Sequence, residues 1–168
     1  GGAIKAKKNK KKGPRPLRAQ KILSANAKPV LSVHLNWAKC IMQGTKTWEI
    51  RSSNHKKHVG KDIYIHTTKA SGGGCIIGMV HFERCLKATE ELMNNNTEKH
   101  GLGKGWAKVP ACCNRLENLH IWEFNNPRML PTPISGHKGS QGWSVYDPTP
   151  PGQANASVPA DGAQAVTK

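Results

Sequence analysis

Alternating apolar and polar residues predict six short β-strands along the middle of the chain. Residues 47–51 show the pattern most clearly, because Trp48 and Ile50 fall on one face of a strand and Glu49 and Arg51 on the other. Residues 75–84 form a longer apolar run behind three glycines. The predicted strands cover residues 30–34, 47–51, 62–67, 75–84, 119–124 and 143–146.

Two short helices are predicted between these strands. The first covers residues 37–43, after Asn36, whose side chain can cap it, and before Gly44, which suits the left-handed conformation that ends a helix. The second covers residues 88–93. Residues 94–118 are expected to be irregular apart from a helical turn near 114–117. Many short strands with few helices indicate a mostly β, α+β fold class: a small barrel with two or three short helices.

The composition divides the chain into a folded unit and two tails. Residues 1–28 hold ten of the 26 Lys and Arg residues, no acid and few apolar residues, which predicts a disordered basic tail. Residues 29–147 contain all five tryptophans and are long enough for one hydrophobic core. Residues 148–168 are rich in Pro, Ala and Gly without periodicity, which predicts a second disordered tail.

The charge points to an anionic partner, because a formal net charge of +16 is typical of proteins that meet nucleic acid. The basic tail suits phosphate contact or nuclear import, with a merely solvated segment as the alternative. No run of 18 apolar residues occurs, and no apolar stretch follows the basic start, so neither a membrane span nor a secretory signal is expected. The chain opens with Gly-Gly rather than Met, as a processed product or a fragment does.

Five cysteines, an odd number, argue against a disulfide framework and for a reduced intracellular compartment, cytoplasm or nucleus. No CxxC pair occurs. The adjacent Cys112 and Cys113 do not supply the PCxxC that a zinc deaminase needs, so no metal and no other cofactor is expected. The G-x-S-x-G, P-loop and H-E-x-x-H motifs are also absent.

Four stretches in order resemble the ASCH domain family. Residues 44–51 read G-x-K-x-x-E-x-R, which is similar to that family's signature. Residues 74–80 resemble its G-x-x-x-G strand, residues 119–128 its W-x-[FL] … P-R segment, and residues 139–143 its closing K-G-x-Q-G-x-W. The resemblance covers about residues 30–146, nearly the whole predicted domain.

The resemblance implies a PUA-like β-barrel with a small cleft beside the first helix. It also implies a function near RNA: nucleotide binding, a place in an RNA-processing or transcription-coactivator assembly, or, as in some bacterial members, hydrolysis. We expect a monomer that acts on RNA or a nucleotide and does not enter a membrane.

The signature residues have two physical readings. Glu49 and Arg51 either form an ion pair on a solvated surface or line a ligand cleft, where Arg offers a planar fork to phosphate and Glu accepts from an exocyclic amine. Lys46, at the turn before the strand, is then placed to meet a phosphate. If the protein is an enzyme, Lys46 and Glu49 are the candidate acid and base. The hydroxyl nucleophile of some relatives stands where this chain has Glu49.

Five other residues are candidate contacts. Trp37 either stacks on a base or packs on the barrel. His34 and His66 lie on candidate cleft strands and are either ligand contacts or hydrogen-bonded structural residues. Lys56 and Lys57 belong to a basic loop that suits the phosphate backbone, or is simply a solvated turn.

Three function classes follow. The first is an RNA- or nucleotide-binding module whose tail contacts phosphates. The second is a small hydrolase, similar to a nucleoside amidohydrolase or a ribonuclease, that acts on RNA or a modified nucleoside. The third is a protein-interaction adaptor that docks through residues 127–133 and the proline-rich tail.

Overall fold

The computed structural model describes residues 23–103 and 116–149. The predictions for residues 1–22, 104–115 and 150–168 lie outside these ranges. The strands are β1 (Lys28–Val33), β2 (Trp48–Arg51), β3 (Asp62–Thr67), β4 (Cys75–Lys87), β5 (His120–Ser135) and β6 (Trp143–Tyr146). The helices are α1 (Leu35–Gln43), α2 (Glu90–Asn95) and α3 (Thr97–His100), with 3-10 turns at Lys69–Ser71 and Leu116–Asn118.

The six strands form one mixed sheet in the order β2-β5-β4-β3-β1-β6. The β1–β3 pair is parallel, and the other pairs are antiparallel. The edge strands β2 and β6 do not pair with each other, so the sheet is open. It nevertheless curls: β5 and β6 are not neighbours in the sheet, yet Trp122 on β5 stacks on Trp143 on β6 with ring centroids 5.6 Å apart. The predicted α+β class is confirmed, and "barrel" describes the curl rather than a closed ring.

Both faces of the sheet are packed. The inner face of the curl meets α1 and carries the main core, which includes Leu31, Val33, Ala38, Ile41, Ile63, Ile65, Val80, Phe82, Trp122 and Phe124. The outer face of β2 and the start of β5 meets α2, in a second core of Trp48, Ile50, Ala88, Met93, Leu119 and Ile121. Trp48 and Ile50, which share one face of the predicted strand, are therefore both buried.

Helix α1 begins two residues before its predicted start. His34 is the N-cap, since its Nδ1 accepts the Asn36 N–H at 3.2 Å, so the cap is not Asn36. Gly44 ends the helix with φ 77°, as predicted. The helix rests directly on β4 at Gly78, where an added Cβ would come within 2.2 Å of Met42 Sδ. A glycine at this position therefore permits the close approach of helix and sheet.

Strand β5 is much longer than the predicted strand at residues 119–124. Asn126 adopts φ 49°, a conformation that Asn tolerates, and the strand continues through three prolines. Strand β2 pairs with β5 only as far as Glu123, so beyond that point one side of β5 has no strand neighbour among the described residues. Proline lacks a donor and is tolerated at such an edge. The three prolines are Pro127, Pro131 and Pro133.

The fold also extends past the predicted limits of residues 29 and 147. Ser24 donates from its N–H and its hydroxyl to the two carboxylate oxygens of Asp147, at 2.8 and 2.5 Å. The Thr149 N–H donates to the same carboxylate at 3.0 Å. The Ser24 hydroxyl contributes most to lowering the pKa of Asp147 to about 2. This clasp joins the segment before β1 to the segment after β6.

Helix α3 was not predicted, because four residues are too few to show a helical period. Helix α2 covers Glu90–Asn95 rather than residues 88–93, and Thr89 caps it by accepting the Leu92 N–H at 3.1 Å. Helix α3 follows after one residue and ends at Gly101, with φ 70°. Both helices lie beside β2, and this position brings the end of α3 close to Lys46.

Candidate functional site

Lys46 is held inside the fold. Its side chain is 2% exposed, and Nζ donates to the carbonyl oxygens of Trp48 at 2.7 Å and His100 at 2.6 Å. The ammonium also lies 4.8 Å from the centroid of the Trp37 ring. Burial lowers the pKa of Lys46, and the nearby Glu49 charge opposes that shift. Two carbonyls and one aromatic ring thus surround the Lys46 ammonium, which the sequence analysis had placed as a phosphate contact.

Glu49 and Arg51 project from the same face of β2, as predicted, and that face is the inner one. Glu49 is 7% exposed, so the alternative of an ion pair on a solvated surface does not hold. Its Oε1 lies 3.9 Å from Arg51 Nε, beyond hydrogen-bond distance. Its Oε2 is buried and has no hydrogen-bond partner among the described residues.

Arg51 extends from this interior toward solvent. Its Nη2 donates to the Ser32 carbonyl at 3.1 Å, and the guanidinium lies 5.7 Å from the centroid of the Trp122 ring. Its side chain remains 30% exposed. A carbonyl and an aromatic ring therefore fix the orientation of a guanidinium that still has free surface.

Arg51 lines the first of two large cavities, named here the arginine cavity, of about 800 Å³. His34 lines it too, so the structure brings two of the predicted site residues together. Its full lining is Ser32, His34, Arg51, Ser52, Ser53, Thr68, Trp122, Gly139, Ser140, Gln141 and Gly142.

A second cavity, named here the histidine cavity, has about 790 Å³ and contains the predicted residue His66. It shares Ser32, Thr68 and the segment 139–141 with the arginine cavity, so the two adjoin along these residues. Its full lining is Ser32, His66, Thr68, Lys69, Ala70, Gly73, Gly74, Gly136, His137, Lys138, Gly139, Ser140 and Gln141.

His66 is buried, with 4% exposed, and its Nδ1 lies 3.0 Å from Ser32 Oγ, which helps to orient the ring. Its Nε2 has no hydrogen-bond partner among the described residues. Burial, and then the charge of His137, lower the pKa of His66, while the Gly74 carbonyl partly opposes the shift. The backbone of Gly139 covers this pair, because an added Cβ there would come within 2.7 Å of the imidazole and of Ser32 Oγ.

The remaining candidates line neither large cavity. Trp37 is half-buried and receives the Lys46 ammonium on its ring. Lys56 and Lys57 are exposed on the segment between β2 and β3. That segment is anchored by His55 instead, whose ring stacks on Trp143 with centroids 4.6 Å apart.

The side chains around the two cavities suit an anion. Among the described residues that line them, none is Asp or Glu, while Arg51, Lys69 and Lys138 are cationic. Several hydroxyls and backbone amides add hydrogen-bonding groups. Such a lining can recognise a phosphate, but it contains no carboxylate for general base catalysis.

Sequence reasoning missed the segment 136–142 as part of the site. It forms a wall of both cavities, although its residues 139–142 had served only to carry the family resemblance. The sequence did contain a signal for a site here: Gly136, Gly139 and Gly142 lie close together beside a lysine and a glutamine. Glycine permits close backbone approach to a ligand or a neighbouring side chain. Ser32 gave no signal, because it reads as an ordinary strand residue.

Comparisons with known proteins agree on one family. The sequence model of the ASCH domain matches residues 31–133, more than half of the chain. No curated protein sequence matches. Crystal structures of an ASCH protein from Zymomonas mobilis share the fold: the unmodified protein has a TM-score of 0.53 at 16% identity, covering 72% of this chain and 88% of its own. Two point mutants give TM-scores of 0.56 and 0.57 at 16% identity, covering 72% and 76% of this chain and 91% and 92% of theirs.

Within residues 23–103 and 116–149, no helix has the length and apolar character needed to cross a membrane. In the same ranges, no three His, Cys, Asp or Glu side chains are grouped so that they could hold a metal ion.

Proposed function

The chain belongs to the ASCH domain family, and on that premise we propose that it binds RNA or a nucleotide through the arginine cavity. The cavity volume falls within the range of about 300–1,000 Å³ that is usual for ligand sites. The guanidinium of Arg51 in its lining and the net charge of +16 both favour a phosphate-bearing ligand. The protein then acts as a binding module.

Arg51 is the observation that carries this proposal. A free arginine side chain loses rotamer entropy when it binds, whereas this one is already held by the Ser32 carbonyl and the Trp122 ring. The donors not used by Ser32 remain available for a planar anion or a base edge. The guanidinium is therefore preorganised for a ligand.

A binding role is favoured over hydrolysis because the candidate acid and base do not reach the cavity. Lys46 Nζ is occupied by two carbonyls, and Glu49 lines neither large cavity. An adaptor role has no comparable support, since the proline-containing segment 127–133 belongs to β5 and is part of the sheet.

Fluorescence anisotropy with a labelled single-stranded RNA tests the proposal. Arg51→Ala removes the guanidinium and is expected to weaken binding about 10- to 100-fold, since charge-assisted hydrogen bonds contribute about 1.5–3 kcal/mol. Arg51→Lys keeps the charge but not the fork, and an intermediate affinity is expected. The matched control is Arg84→Ala, because Arg84 is half-exposed and pairs with Glu123 on the outer face.

Circular dichroism of each variant establishes that the fold is retained. Unchanged affinity in a folded Arg51→Ala protein would reject the arginine cavity as the binding site. An equal loss in Arg51→Ala and Arg84→Ala would show that only total charge matters.

A further inference from the structure

The histidine cavity combines features that the proposed RNA contact at Arg51 does not use. Two histidines and two lysines line it, namely His66, His137, Lys69 and Lys138, and no carboxylate among the described residues joins them. The cavity adjoins the arginine cavity along Ser32 and the segment 139–141. One ligand can therefore extend from one cavity into the other.

His66 lines this cavity and carries a buried nitrogen without a hydrogen-bond partner among the described residues. The imidazole is buried, Ser32 Oγ occupies Nδ1 at 3.0 Å, and Nε2 has no partner among the described residues. A buried polar nitrogen without a partner is costly, at about 1–3 kcal/mol, so it is retained where a ligand or water completes it. An acceptor oxygen of a bound ligand would satisfy it.

His137 stands opposite His66 and is fixed from its other side. The two ring centroids are 5.5 Å apart in an edge-to-face arrangement, and His137 Nε2 lies 2.9 Å from Ser144 Oγ. Tyr146 packs edge-on against His137 with centroids 5.9 Å apart. Ser144 and Tyr146 of β6 thus position the second imidazole in the cavity wall.

We infer that the histidine cavity holds a terminal phosphate monoester of the bound strand or nucleotide, while the attached nucleoside lies toward the arginine cavity. This inference rests on the proposed function for the nucleoside part. A monoester carries a charge of about −1.5 to −2 near pH 7, against −1 for a phosphodiester, and has three free oxygens. Two lysines and two imidazoles match that higher charge and that number of acceptors.

The imidazoles give this site a pH signature. Burial lowers the pKa of both His66 and His137, so both are neutral near pH 7 in the free protein. A bound dianion favours the charged imidazolium, so binding takes up protons and tightens as the pH falls from 7.5 to 6.5, which is still above the second pKa of the monoester, about 6. The two imidazoles face each other, Tyr146 on β6 packs against His137, and Lys69 and Lys138 are the charged residues that line the same cavity.

The experiment compares three versions of one RNA oligonucleotide on the full chain: a 5′-phosphate, a 3′-phosphate, and hydroxyls at both ends. One phosphorylated version is expected to bind at least tenfold more tightly than the hydroxyl version. His137→Gln and Lys138→Met should abolish that preference, while Lys138→Met should weaken binding of the hydroxyl version no more than the loss of one charge elsewhere does. Lys61→Met is the matched control, because this exposed lysine lines neither cavity.

Each result decides the inference separately from the proposed function. Equal binding of the three oligonucleotides, with Arg51→Ala still harmful, would overturn the phosphate site and keep RNA binding. A phosphate preference that survives both His137→Gln and Lys138→Met would place the contact elsewhere and also overturn it. Binding of inorganic phosphate, lost in these variants, with no Arg51 dependence for RNA would keep the site and reject the proposed function.

Discussion

Lys46 connects three parts of the fold through one buried ammonium. Its two carbonyl partners belong to β2 and to the end of α3, and the Trp37 ring comes from α1. The His100 carbonyl ends a helix, where the partial negative charge of the unpaired carbonyls favours a cation. A lysine in this environment stabilises the packing of α3 against β2, so this residue of the family signature has a structural role.

Replacement of Lys46 should therefore reduce stability. Lys46→Met keeps the apolar stem and removes the ammonium, which leaves two buried carbonyls without a donor, so the free energy of unfolding should fall by about 2–4 kcal/mol. Urea denaturation followed by tryptophan fluorescence measures it. Lys87→Met, at an exposed position on β4, is the control and should change stability by less than about 0.5 kcal/mol. A stable Lys46→Met protein that has lost RNA affinity would instead make Lys46 a ligand contact.

At the scale of elements, the segment between β2 and β3 closes one side of the inner face. His55 stacks on Trp143 with centroids 4.6 Å apart, and His58 meets the same ring edge-on, also at 4.6 Å. The Trp122 indole donates to the Ser53 carbonyl at 2.9 Å. His55 Nε2 and His58 Nδ1 are buried without a partner among the described residues. The segment is thus held by neutral aromatic packing.

This packing should fail in acid. Burial lowers the pKa of His58 from 6.5 to about 4, with His55 contributing, and burial also lowers the pKa of His55. Below pH 6.5 the unfolded chain binds protons that the folded chain does not, so stability is full above pH 6.5 and declines as the pH falls toward 4. The urea midpoint should drop between pH 7.5 and pH 5. The urea midpoint of His58→Phe should drop less over the same range. An identical pH dependence in this variant would show that His58 is not responsible for the loss of stability.

The sequence predicted elements best where they carry a clear period. All six strands and α1 were found from alternation and from Gly44 as a helix end. The length of β5 was not, because Asn125, Asn126 and Pro127 read as a turn until β4 and the free edge are known. Helix α3 was missed because its stability comes from contacts such as the Lys46 hydrogen bond rather than from its own four residues.

At the scale of the whole molecule, the two cavities could not have been predicted from local pattern. Ser32, His66 and Gly139 are far apart in the sequence and meet because β1 pairs with β3 and the segment before β6 returns over them. Arg51 was predicted as a site residue because it belongs to the family signature, whereas the other residues that line its cavity come together only through the strand order. Topology therefore supplies most of the site, and the signature supplies one of its side chains.

The distribution of charge predicts two modes for the proposed RNA binding, one through residues 1–22 and one through the cavities. A single affinity measurement does not distinguish these modes. Residues 1–22 carry nine of the Lys and Arg residues, and the folded part carries Arg51, Lys69 and Lys138 at the cavities. In the proposed RNA complex, contacts from the first group would add affinity by counterion release for any sequence, with a salt slope of about −0.7 for each phosphate of a single strand. Contacts in the cavities would add selectivity.

Deletion of residues 1–22 should separate these modes. The cut must stop there, because Ser24 holds Asp147 and β1 begins at Lys28. The shortened chain should bind RNA more weakly with a shallower salt slope, reduced by at most about 6, and should keep its dependence on Arg51. Anisotropy titrations between 50 and 300 mM KCl measure the salt slope and the dependence on Arg51. They use the intact and the shortened chain, each with and without Arg51→Ala. If affinity disappears with residues 1–22 and Arg51 makes no difference in the intact chain, binding is counterion release alone, and the cavities require a different ligand.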